Sequence, residues 1–326
     1  MAATNNEVWQ IGTLIAIEDV AAGIKQFVIR QSNPAKAAAG SHLDLMIDIE
    51  GQPTRRSYSV VAQSEDLRDL TISVFKVRNS RGGSIAMHQL VPGDTLNITQ
   101  PIQNFPFRFG AKRYLLLAGG IGVTALMEMA NQAKRSGVEY EFHYVARSRQ
   151  AMAYATDLTQ LHGSKMNLYI DDEGKTFDVS KFMDLVTPDT EVYMCGPIRL
   201  MDEVRRTWAA SDLDITNLRY ETFGASGWFD PEEFLVRVPE KGTEVLVGRN
   251  QTIVEALEGA GLDVMSDCRK GECGLCEARI VRHTGTIDHR DVFYSEQQKT
   301  EGEKIACCVS RLISDGAAAS IDIILT

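Results

Sequence analysis

The cysteines in the last fifth of the chain carry the strongest chemical signature. Cys268, Cys273 and Cys276 form a C-x4-C-x2-C run, and a pair, Cys307 and Cys308, follows about 30 residues later. This is the thiolate spacing of a plant-type 2Fe-2S cluster, in which four sulfurs hold two irons. Glycines inside the run permit the left-handed backbone that brings amides close to sulfur. The fourth ligand is then Cys307 or Cys308, and the alternatives for the set are a zinc site or unrelated buried thiols.

A short run upstream, Arg56-Ser57-Tyr58-Ser59, matches the R-x-Y-S motif of the ferredoxin reductase superfamily. This resemblance implies a flavin site on a β-strand. Arg56 would face the flavin phosphate, Tyr58 the ribityl chain and ring face, and Ser59 the ring N5, where hydride arrives. Four residues are a weak signal alone, because Arg and Tyr that alternate on a barrel strand are more often ordinary surface and core positions.

A glycine-rich segment, Arg81-Gly82-Gly83-Ser84, precedes a helix-like stretch from Ile85 to Leu90. Glycines before a helix expose backbone amides toward a phosphate, and Ser84 can add its hydroxyl. In the reductases that this sequence resembles, the same segment holds the phosphate of FMN, and Phe75-Lys76-Val77 lines the pyrimidine edge of the ring. The resemblance implies FMN, whereas the local chemistry leaves FAD open.

A second glycine-rich run, Gly119-Gly120-Ile121-Gly122-Val123-Thr124, directly follows the apolar strand Tyr114 to Ala118. Such a turn lets a pyrophosphate sit close to amides at a helix start, although the run lacks the G-x-G-x-x-G spacing. It resembles the reductase motif G-G-I-G-[IV]-T-P, with Ala125 in place of proline. Cys195-Gly196-Pro197 also follows a strand and matches the C-G-P motif, whose cysteine approaches the nicotinamide. A buried cysteine without such a role is the alternative.

An aromatic residue is expected to control access to the flavin. Glu221-Thr222-Phe223 resembles the segment whose ring covers the flavin at the end of the nicotinamide domain. The resemblance therefore makes Phe223 the gate for the incoming nicotinamide. Ser59, Cys195 and Phe223 are the predicted catalytic residues.

The choice of dinucleotide depends on Arg147, Ser148 and Arg149, which follow the second strand of the predicted nucleotide domain. They can neutralise a 2′-phosphate, yet surface arginines are equally ordinary at this position. Similar reductases mostly use NADH. We therefore expect NADH, with NADPH as the alternative.

The elements around these motifs predict a multidomain chain. Short β-rich runs such as Leu43 to Ile49, broken by turns, predict an antiparallel barrel in residues 1–109, and the resemblance implies that this barrel binds FMN. Strands that alternate with helical segments predict a parallel α/β domain for NAD(P) in residues 110–224. Residues 225–233 are expected to form a linker, and residues 234–326 an α+β ferredoxin domain of the β-grasp type around the cysteines.

Composition and charge exclude several classes of protein. With 326 residues, 44% hydrophobic and 24% charged, the chain is long enough for two or three globular domains. A formal net charge of -10 argues against a nucleic-acid partner, because that affinity rests on clustered Lys and Arg. The sequence has no apolar run of about 18 residues and no signal-peptide pattern at its start. We therefore expect a cytoplasmic protein without a membrane partner, with its thiols reduced.

From about Trp9 to Leu325 these motifs resemble the phthalate dioxygenase reductase family, in the order flavin barrel, nicotinamide domain, ferredoxin domain. In that family the last cluster ligand directly precedes Val-Ser, which implies Cys308 beside Cys268, Cys273 and Cys276.

The resemblance implies that electrons pass from NADH through FMN and the cluster to the Rieske centre of a partner oxygenase, an aromatic dioxygenase or a demethylase. A flavin is needed between donor and cluster because hydride carries two electrons and the cluster accepts one. One alternative is a reductase of another acceptor, such as a cytochrome or a ferredoxin. The other is a redox sensor or electron carrier that catalyses no reaction.

Overall fold

The computed structural model describes residues 7–49, 51–78, 80–223, 227–316 and 318–325. The predicted linker begins with Ala225 and Ser226, which lie outside the described residues together with Gly224. The chain divides into two compact units. The first comprises Met1–Val77, Gly82–Gly196 and Thr207–Glu221, and the second comprises Arg78–Arg81, Pro197–Arg206 and Thr222–Thr326. The limits of the three domains and the linker stay predictions. In the described part of the chain, no helix is both long and apolar enough to cross a membrane.

The first unit contains a closed antiparallel barrel. Its elements are β1 (Trp9–Ala21), β2 (Ile24–Gln31), β3 (Ser41–Ile49), β4 (Gln52–Gln63), β5 (Asp69–Phe75), α1 (Gly83–Gln89), β6 (Thr95–Thr99) and β7 (Ile102–Gln103). Six strands run in the order β4-β5-β2-β1-β6-β3, and β3 also pairs with β4, which closes the ring. Closure pairs both sides of every strand in the ring, and Phe27, Leu45 and Ile72 fill its interior with no exposed area. The predicted barrel is confirmed.

A parallel sheet follows in the same unit. Its elements are β8 (Arg113–Gly119), α2 (Val123–Ser136), β9 (Glu139–Ala146), α3 (Ala155–His162), β10 (Met166–Ile170), α4 (Val179–Met183), β11 (Thr190–Cys195) and β12 (Leu218–Glu221). Between β11 and β12 the chain forms α5 (Ile198–Ala209), whose residues up to Arg206 belong to the second unit. The strand order is β10-β9-β8-β11-β12, with every pairing parallel. The order reverses between β8 and β11, and ligands of such sheets bind beyond the carboxyl ends of the strands at that reversal. The predicted α/β domain type is confirmed.

The second unit contains a small mixed sheet. Its elements are β13 (Phe234–Val238), β14 (Thr243–Val247), α6 (Ile253–Gly259), β15 (Glu277–Thr284), β16 (Thr286–Asp288), α7 (Glu296–Glu301), β17 (Lys304–Ala306), β18 (Arg311–Ile313) and β19 (Ser320–Leu325). The main sheet has the order β14-β13-β19-β15-β17, in which only β13 and β19 pair in parallel, and β16 pairs with β18. The predicted α+β class is confirmed.

Helix α6 closes one face of this sheet and holds the start of the cysteine run in place. It begins with a capping box in which the Thr252 hydroxyl accepts from the Glu255 amide at 3.1 Å and the Glu255 carboxylate accepts from the Thr252 amide at 2.8 Å. Its Leu257 is fully buried in a core with Val236 and Ile323. The loop that carries the first three cysteines runs from α6 to β15, so its ends are fixed by this core.

Replacing Leu257 with Ala should lower the free energy of unfolding of the second unit by about 2–5 kcal/mol, because a core methyl-bearing side chain is lost and a cavity remains. Urea unfolding followed through the visible absorbance of the predicted cluster reports on this unit. The matched control is Leu246→Ala on β14, where the side chain is 60% exposed and little change is expected. Equal losses in the two variants would contradict the assignment of Leu257 to the core.

Candidate functional site

The cysteine loop of the second unit directs backbone N–H groups at sulfur. The Sγ of Cys268 accepts hydrogen bonds from the amides of Lys270 and Glu272, each at 3.4 Å. Gly271 and Gly274 have φ of 79° and 77°, in the left-handed region that side chains disfavour. The loop therefore wraps around the sulfur in the manner that the sequence predicted for a cluster loop.

The two loop glycines also leave no room for a side chain. A Cβ on Gly271 would lie 2.7 Å from Cγ2 of Val309 and 2.9 Å from the Cα of Asp291. A Cβ on Gly274 would enter the ring of Phe293. Sequence reasoning assigned these glycines by their backbone freedom and missed their packing partners, which come from a segment far along the chain.

The pair Cys307 and Cys308 splits into two different environments. The thiol of Cys308 donates to both Cys268 and Cys276, which lowers the pKa of both and takes that of Cys268 to about 4. The same two bonds raise the pKa of Cys308. Cys307 is fully buried, and burial raises the pKa of its thiol. The Cys308 thiol therefore contacts two loop cysteines, whereas Cys307 donates its backbone amide to the Cys276 carbonyl at 3.0 Å.

The thiols of the predicted cluster site lie close to one another. The Cys308 thiol contacts both Cys268 and Cys276, which brings three of the four predicted ligands together. A 2Fe-2S cluster is held by four thiolates, and C-x4-C-x2-C is the plant-type spacing of its loop ligands. The donors, the sulfur-directed amides and the glycine-lined loop together fit the cluster.

The buried carboxylate of Asp291 stabilises the segment that packs against the cysteine loop. The Asp291 carboxylate accepts from the Tyr294 amide at 2.9 Å and from the Ser310 hydroxyl at 3.3 Å, while the Val292 amide donates to the Gly271 carbonyl at 3.0 Å. Burial would raise the pKa of Asp291, but the imidazole of His289, 3.5 Å away, and the charge of Lys299 hold it below its ordinary value. Asp291 is thus a charged anchor for the segment whose Val292 amide binds the loop backbone.

Phe223 follows a residue that is tied to the same loop. The Thr222 hydroxyl donates to the Lys270 carbonyl at 2.7 Å, and the Thr222 amide donates to the Glu272 carboxylate at 2.6 Å. Phe223 itself is half-buried. Sequence reasoning selected Phe223 but missed these anchors, and no local pattern in the sequence pairs Thr222 with Glu272. The role of Phe223 as a gate stays a prediction.

The R-x-Y-S motif lies on β4 and divides between its two faces. Arg56 pairs with Leu45 and Tyr58 with Leu43 across β3, so both side chains share one face. Ser57 lies on the other face, where its hydroxyl donates to the buried carboxylate of Asp44. The structure brings Arg56 and Tyr58 together and directs the Ser57 hydroxyl away from them. Ser59, further along β4, is buried.

Arg56 also meets the glycine-rich phosphate segment. A Cβ on Gly83 would lie 2.8 Å from Nε of Arg56, so the arginine lies directly over the start of α1. Gly82 has a φ of 83°, which suits glycine. The Val77 amide donates to the Ser84 hydroxyl at 3.1 Å, which ties the predicted Phe75-Lys76-Val77 edge to this helix.

Arg81 has a different partner. It belongs to the second unit, and its guanidinium lies 3.6 Å from the carboxylate of Glu255. Its predicted part in the flavin site stays a prediction, as does that of Ser57. Arg56, Gly82, Gly83 and Ser84 form the group that fits a flavin phosphate.

The nucleotide motifs meet at the reversal of the parallel sheet. The run that begins with Gly119 ends β8, and Cys195-Gly196 ends β11, with Cys195 opposite Ala118. A Cβ on Gly122 would lie 2.5 Å from the carbonyl carbon of Cys195 and 2.9 Å from the Gly196 nitrogen. Two backbones, each at a strand end, thus approach closely at the kind of helix start where sheets of this class bind a pyrophosphate.

Other predicted residues of this site have structural contacts. The Thr124 hydroxyl donates to the Ile121 carbonyl at 2.9 Å and so closes the turn. Cys195 is buried, and Gly120 has a φ of 53°, again suited to glycine. Pro197 opens the segment that belongs to the second unit. The positions of these residues fit a bound nucleotide, and their individual roles stay predictions.

A flavin barrel, a nucleotide sheet and a ferredoxin-type cysteine loop in one polypeptide define the class of modular iron-sulfur flavoprotein reductases. Residues 236–312 match the model of the 2Fe-2S iron-sulfur cluster binding domain, and residues 12–107 match that of the oxidoreductase FAD-binding domain. The phthalate dioxygenase reductase of Burkholderia cepacia is 32% identical over 84% of this chain and 84% of its own length. The chain belongs to the phthalate dioxygenase reductase family.

Solved structures agree with this placement. The modular phthalate dioxygenase reductase structure, described for electron transfer from pyridine nucleotides to [2Fe-2S], is 29% identical over 97% of this chain and 98% of its own, with a TM-score of 0.74. An intact type IV self-sufficient cytochrome P450 monooxygenase is 32% identical over 97% of this chain, which spans 41% of that longer chain, with a TM-score of 0.66. The predicted activity, an NAD(P)H-dependent iron-sulfur flavoprotein reductase, is confirmed, as are a flavin and a 2Fe-2S cluster.

Replacing Gly122 with Ala should weaken NAD⁺ binding by about tenfold or more, because the new Cβ pushes the glycine turn away from the Cys195 carbonyl, and a small misplacement at a binding site is costly. Calorimetric titration of the purified protein with NAD⁺ measures the change. The control is Gly259→Ala in α6, where an added Cβ meets nothing within 4 Å and NAD⁺ affinity should not change. Parent-like NAD⁺ binding by a folded Gly122→Ala protein would show that the close approach does not shape the nucleotide site.

Proposed function

We propose that this chain passes electrons from NADH through FMN and a 2Fe-2S cluster to the Rieske centre of a partner oxygenase, an aromatic dioxygenase or a demethylase. The observation that carries the proposal is the meeting of Cys308 with Cys268 and Cys276 in a chain that also holds the flavin barrel and the nucleotide sheet. The Rieske acceptor is supported by the likeness to a reductase of phthalate dioxygenase over 84% of the chain.

The chain's own residues have distinct proposed tasks. Arg56, with the amides at the start of α1, binds the flavin phosphate, and Tyr58 lies beside the flavin. Ser59 donates a hydrogen bond at the hydride-accepting edge, and Cys195 fits the nicotinamide against that edge. Phe223 covers the ring until the nicotinamide arrives. When bound, the flavin supplies the conversion of one hydride into two single-electron transfers.

The cluster loop has the proposed ligands Cys268, Cys273, Cys276 and Cys308. Amides of the loop donate to the Cys268 sulfur and draw electron density from it, which stabilises the extra electron of the reduced cluster. This matters because plant-type clusters have potentials of about -400 mV, so NADH reduces them readily only when the protein raises that value.

FMN and NADH are the proposed forms of flavin and donor. The proposed phosphate-binding site, formed by Arg56, Gly83 and Ser84, lies at the barrel itself. This position suits FMN, whose ribityl chain ends in a single phosphate. NADH is favoured because Arg149 at the nucleotide sheet is already paired with Glu173. A cytoplasmic location is proposed as well, because the six cysteines, none of which forms a disulfide in the described part of the chain, suit a reducing compartment.

A haem protein is the second candidate acceptor. The observation that favours it is the solved P450 monooxygenase, of which a segment covering 97% of this chain is similar at 32% identity. The same electron path would then end at a haem iron instead of a Rieske centre.

Replacing Cys276 with Ser should abolish NADH-driven reduction of a purified Rieske oxygenase component and of cytochrome c, because both acceptors take electrons from the cluster. Reduction of ferricyanide, which accepts electrons directly from the flavin, should persist. Stopped-flow absorbance with each acceptor measures the rates. Equal loss of all three would contradict a serial path, and a parent protein that reduces cytochrome c but no Rieske component would make the haem acceptor the better assignment.

Cys307 and Cys308 differ in their expected effect on the cluster. Cys308→Ser should bleach the visible absorbance and the paramagnetic signal of the reduced cluster, since a thiolate ligand is lost. Cys307→Ser, the matched control one residue away, should retain both signals, because the thiol that contacts Cys268 and Cys276 is that of Cys308. A bleached Cys307→Ser protein beside an intact Cys308→Ser protein would reverse the ligand assignment.

A further inference from the structure

Two oppositely charged runs meet where neighbouring strands of the parallel sheet end. Arg147-Ser148-Arg149 follows β9, and Asp171-Asp172-Glu173 follows β10. The two strands pair in parallel with their last residues opposite each other, so both runs start at the same level. A hydrogen bond of 3.1 Å from the Asp172 amide to the Arg147 carbonyl joins them.

One edge of the Arg149 guanidinium is occupied by a carboxylate. Its Nε and one Nη donate to the two carboxylate oxygens of Glu173 at 2.7 and 2.9 Å. Lys175 lies 3.9 Å from the same carboxylate. Such an edge of an arginine grips a carboxylate or a phosphate with two parallel hydrogen bonds, so the edge that holds Glu173 cannot grip a phosphate in the same way.

The position of the pair matters for the nucleotide. In sheets of this type the pyrophosphate lies at the helix that follows the first strand, and the adenosine ribose lies at the end of the neighbouring strand. There an acidic residue favours the free 2′-hydroxyl of NAD, and an arginine favours the 2′-phosphate of NADP. β8 carries the glycine turn and β9 is its neighbour, so the Arg149–Glu173 pair lies at the ribose end.

We propose that Glu173 is a positioning residue that makes this site select NADH over NADPH, because it holds Arg149 away from the 2′ position. This inference rests on the proposed NADH donor and identifies the residue that enforces it. An exposed ion pair contributes little to folding stability, so its loss should alter selectivity without unfolding the protein.

The test is the variant Glu173→Gln, which removes the charge and keeps the shape of the side chain. Calorimetric titration of the purified, flavin-loaded protein with NAD⁺ and NADP⁺ gives the two affinities. NADP⁺ binding should tighten by about tenfold, as expected for one charge-assisted hydrogen-bond pair regained, with little change for NAD⁺. The double variant Glu173→Gln with Arg149→Ala should lose that gain, and Glu173→Asp, which keeps the charge, should retain the parent's selectivity.

A matched control exists on the barrel. Arg30 donates to both carboxylate oxygens of Asp69 at 2.8 and 3.0 Å, in an equally exposed bidentate pair remote in sequence from the nucleotide motifs. Asp69→Asn should leave the ratio of NAD⁺ to NADP⁺ affinity unchanged. A shift in this control as large as that of Glu173→Gln would overturn the inference, because the effect would be one of net charge.

The outcomes also separate this inference from the proposed donor. If the parent binds NADP⁺ more tightly than NAD⁺, the NADH donor is wrong and the inference falls with it. If the parent prefers NAD⁺ but Glu173→Gln leaves the ratio unchanged, the donor stands and the inference is overturned. A gain in NADP⁺ affinity that survives Arg149→Ala would also overturn it, since the released guanidinium would not be its cause.

Discussion

Thiolate sulfur brings negative charge into a partly buried loop, and the backbone N–H groups of that loop offset it. The amides of Lys270 and Glu272 reach Cys268 because the chain turns through positive φ at Arg269 and Gly271, and a further turn of this kind follows at Gly274. The remaining supports of the second unit fix this turn. Thr222 donates hydrogen bonds to the Lys270 carbonyl and the Glu272 carboxylate, and Asp291 packs against Gly271. Loss of the loop geometry would therefore remove both the ligands and the charge compensation.

The flavin and nucleotide sites also contain glycines that lie so close to a neighbouring group that a side chain would not fit. Gly83 lies under Arg56, and Gly122 lies against the end of β11. In each case the missing Cβ allows a phosphate-binding group or a second strand to come within van der Waals distance of a helix start. The glycines are therefore set by close contact as much as by dihedral freedom.

Local sequence patterns predicted much of the fold but only part of the candidate site. The apolar run of β8, the hairpin of β13 and β14, and the C-x4-C-x2-C spacing each depend on neighbours in sequence, so they could be predicted. The choice between Cys307 and Cys308 required the resemblance, because both thiols are equally close in sequence to the other cysteines. Both thiols are buried in the core of the second unit, and they differ because tertiary packing brings the Cys308 thiol into contact with Cys268 and Cys276.

Contacts that join distant segments were beyond sequence reasoning for the same reason. No periodicity pairs Thr222 with Glu272, or Phe293 with Gly274, since each contact depends on how the loop is folded. The R-x-Y-S motif illustrates a finer limit. Strand alternation alone predicts that Ser57 lies on the opposite face of β4 from Arg56 and Tyr58. It does not predict the hydrogen bond that holds Ser57 on that face, which the Ser57 hydroxyl donates to the buried Asp44 carboxylate on β3.

The Asp44 carboxylate shows that burial determines whether an ion pair in this protein contributes to stability. Asp44 is almost completely buried and accepts from both Arg55 and Ser57, so removal of either partner would leave a buried charge short of a donor. The pair thereby holds β4 in the orientation that turns Arg56 and Tyr58 to the opposite face. Arg149 and Glu173 form the same kind of bidentate interaction in solvent, where it adds little stability. Because folding does not depend on it, that exposed pair can differ between related chains and can serve selectivity alone.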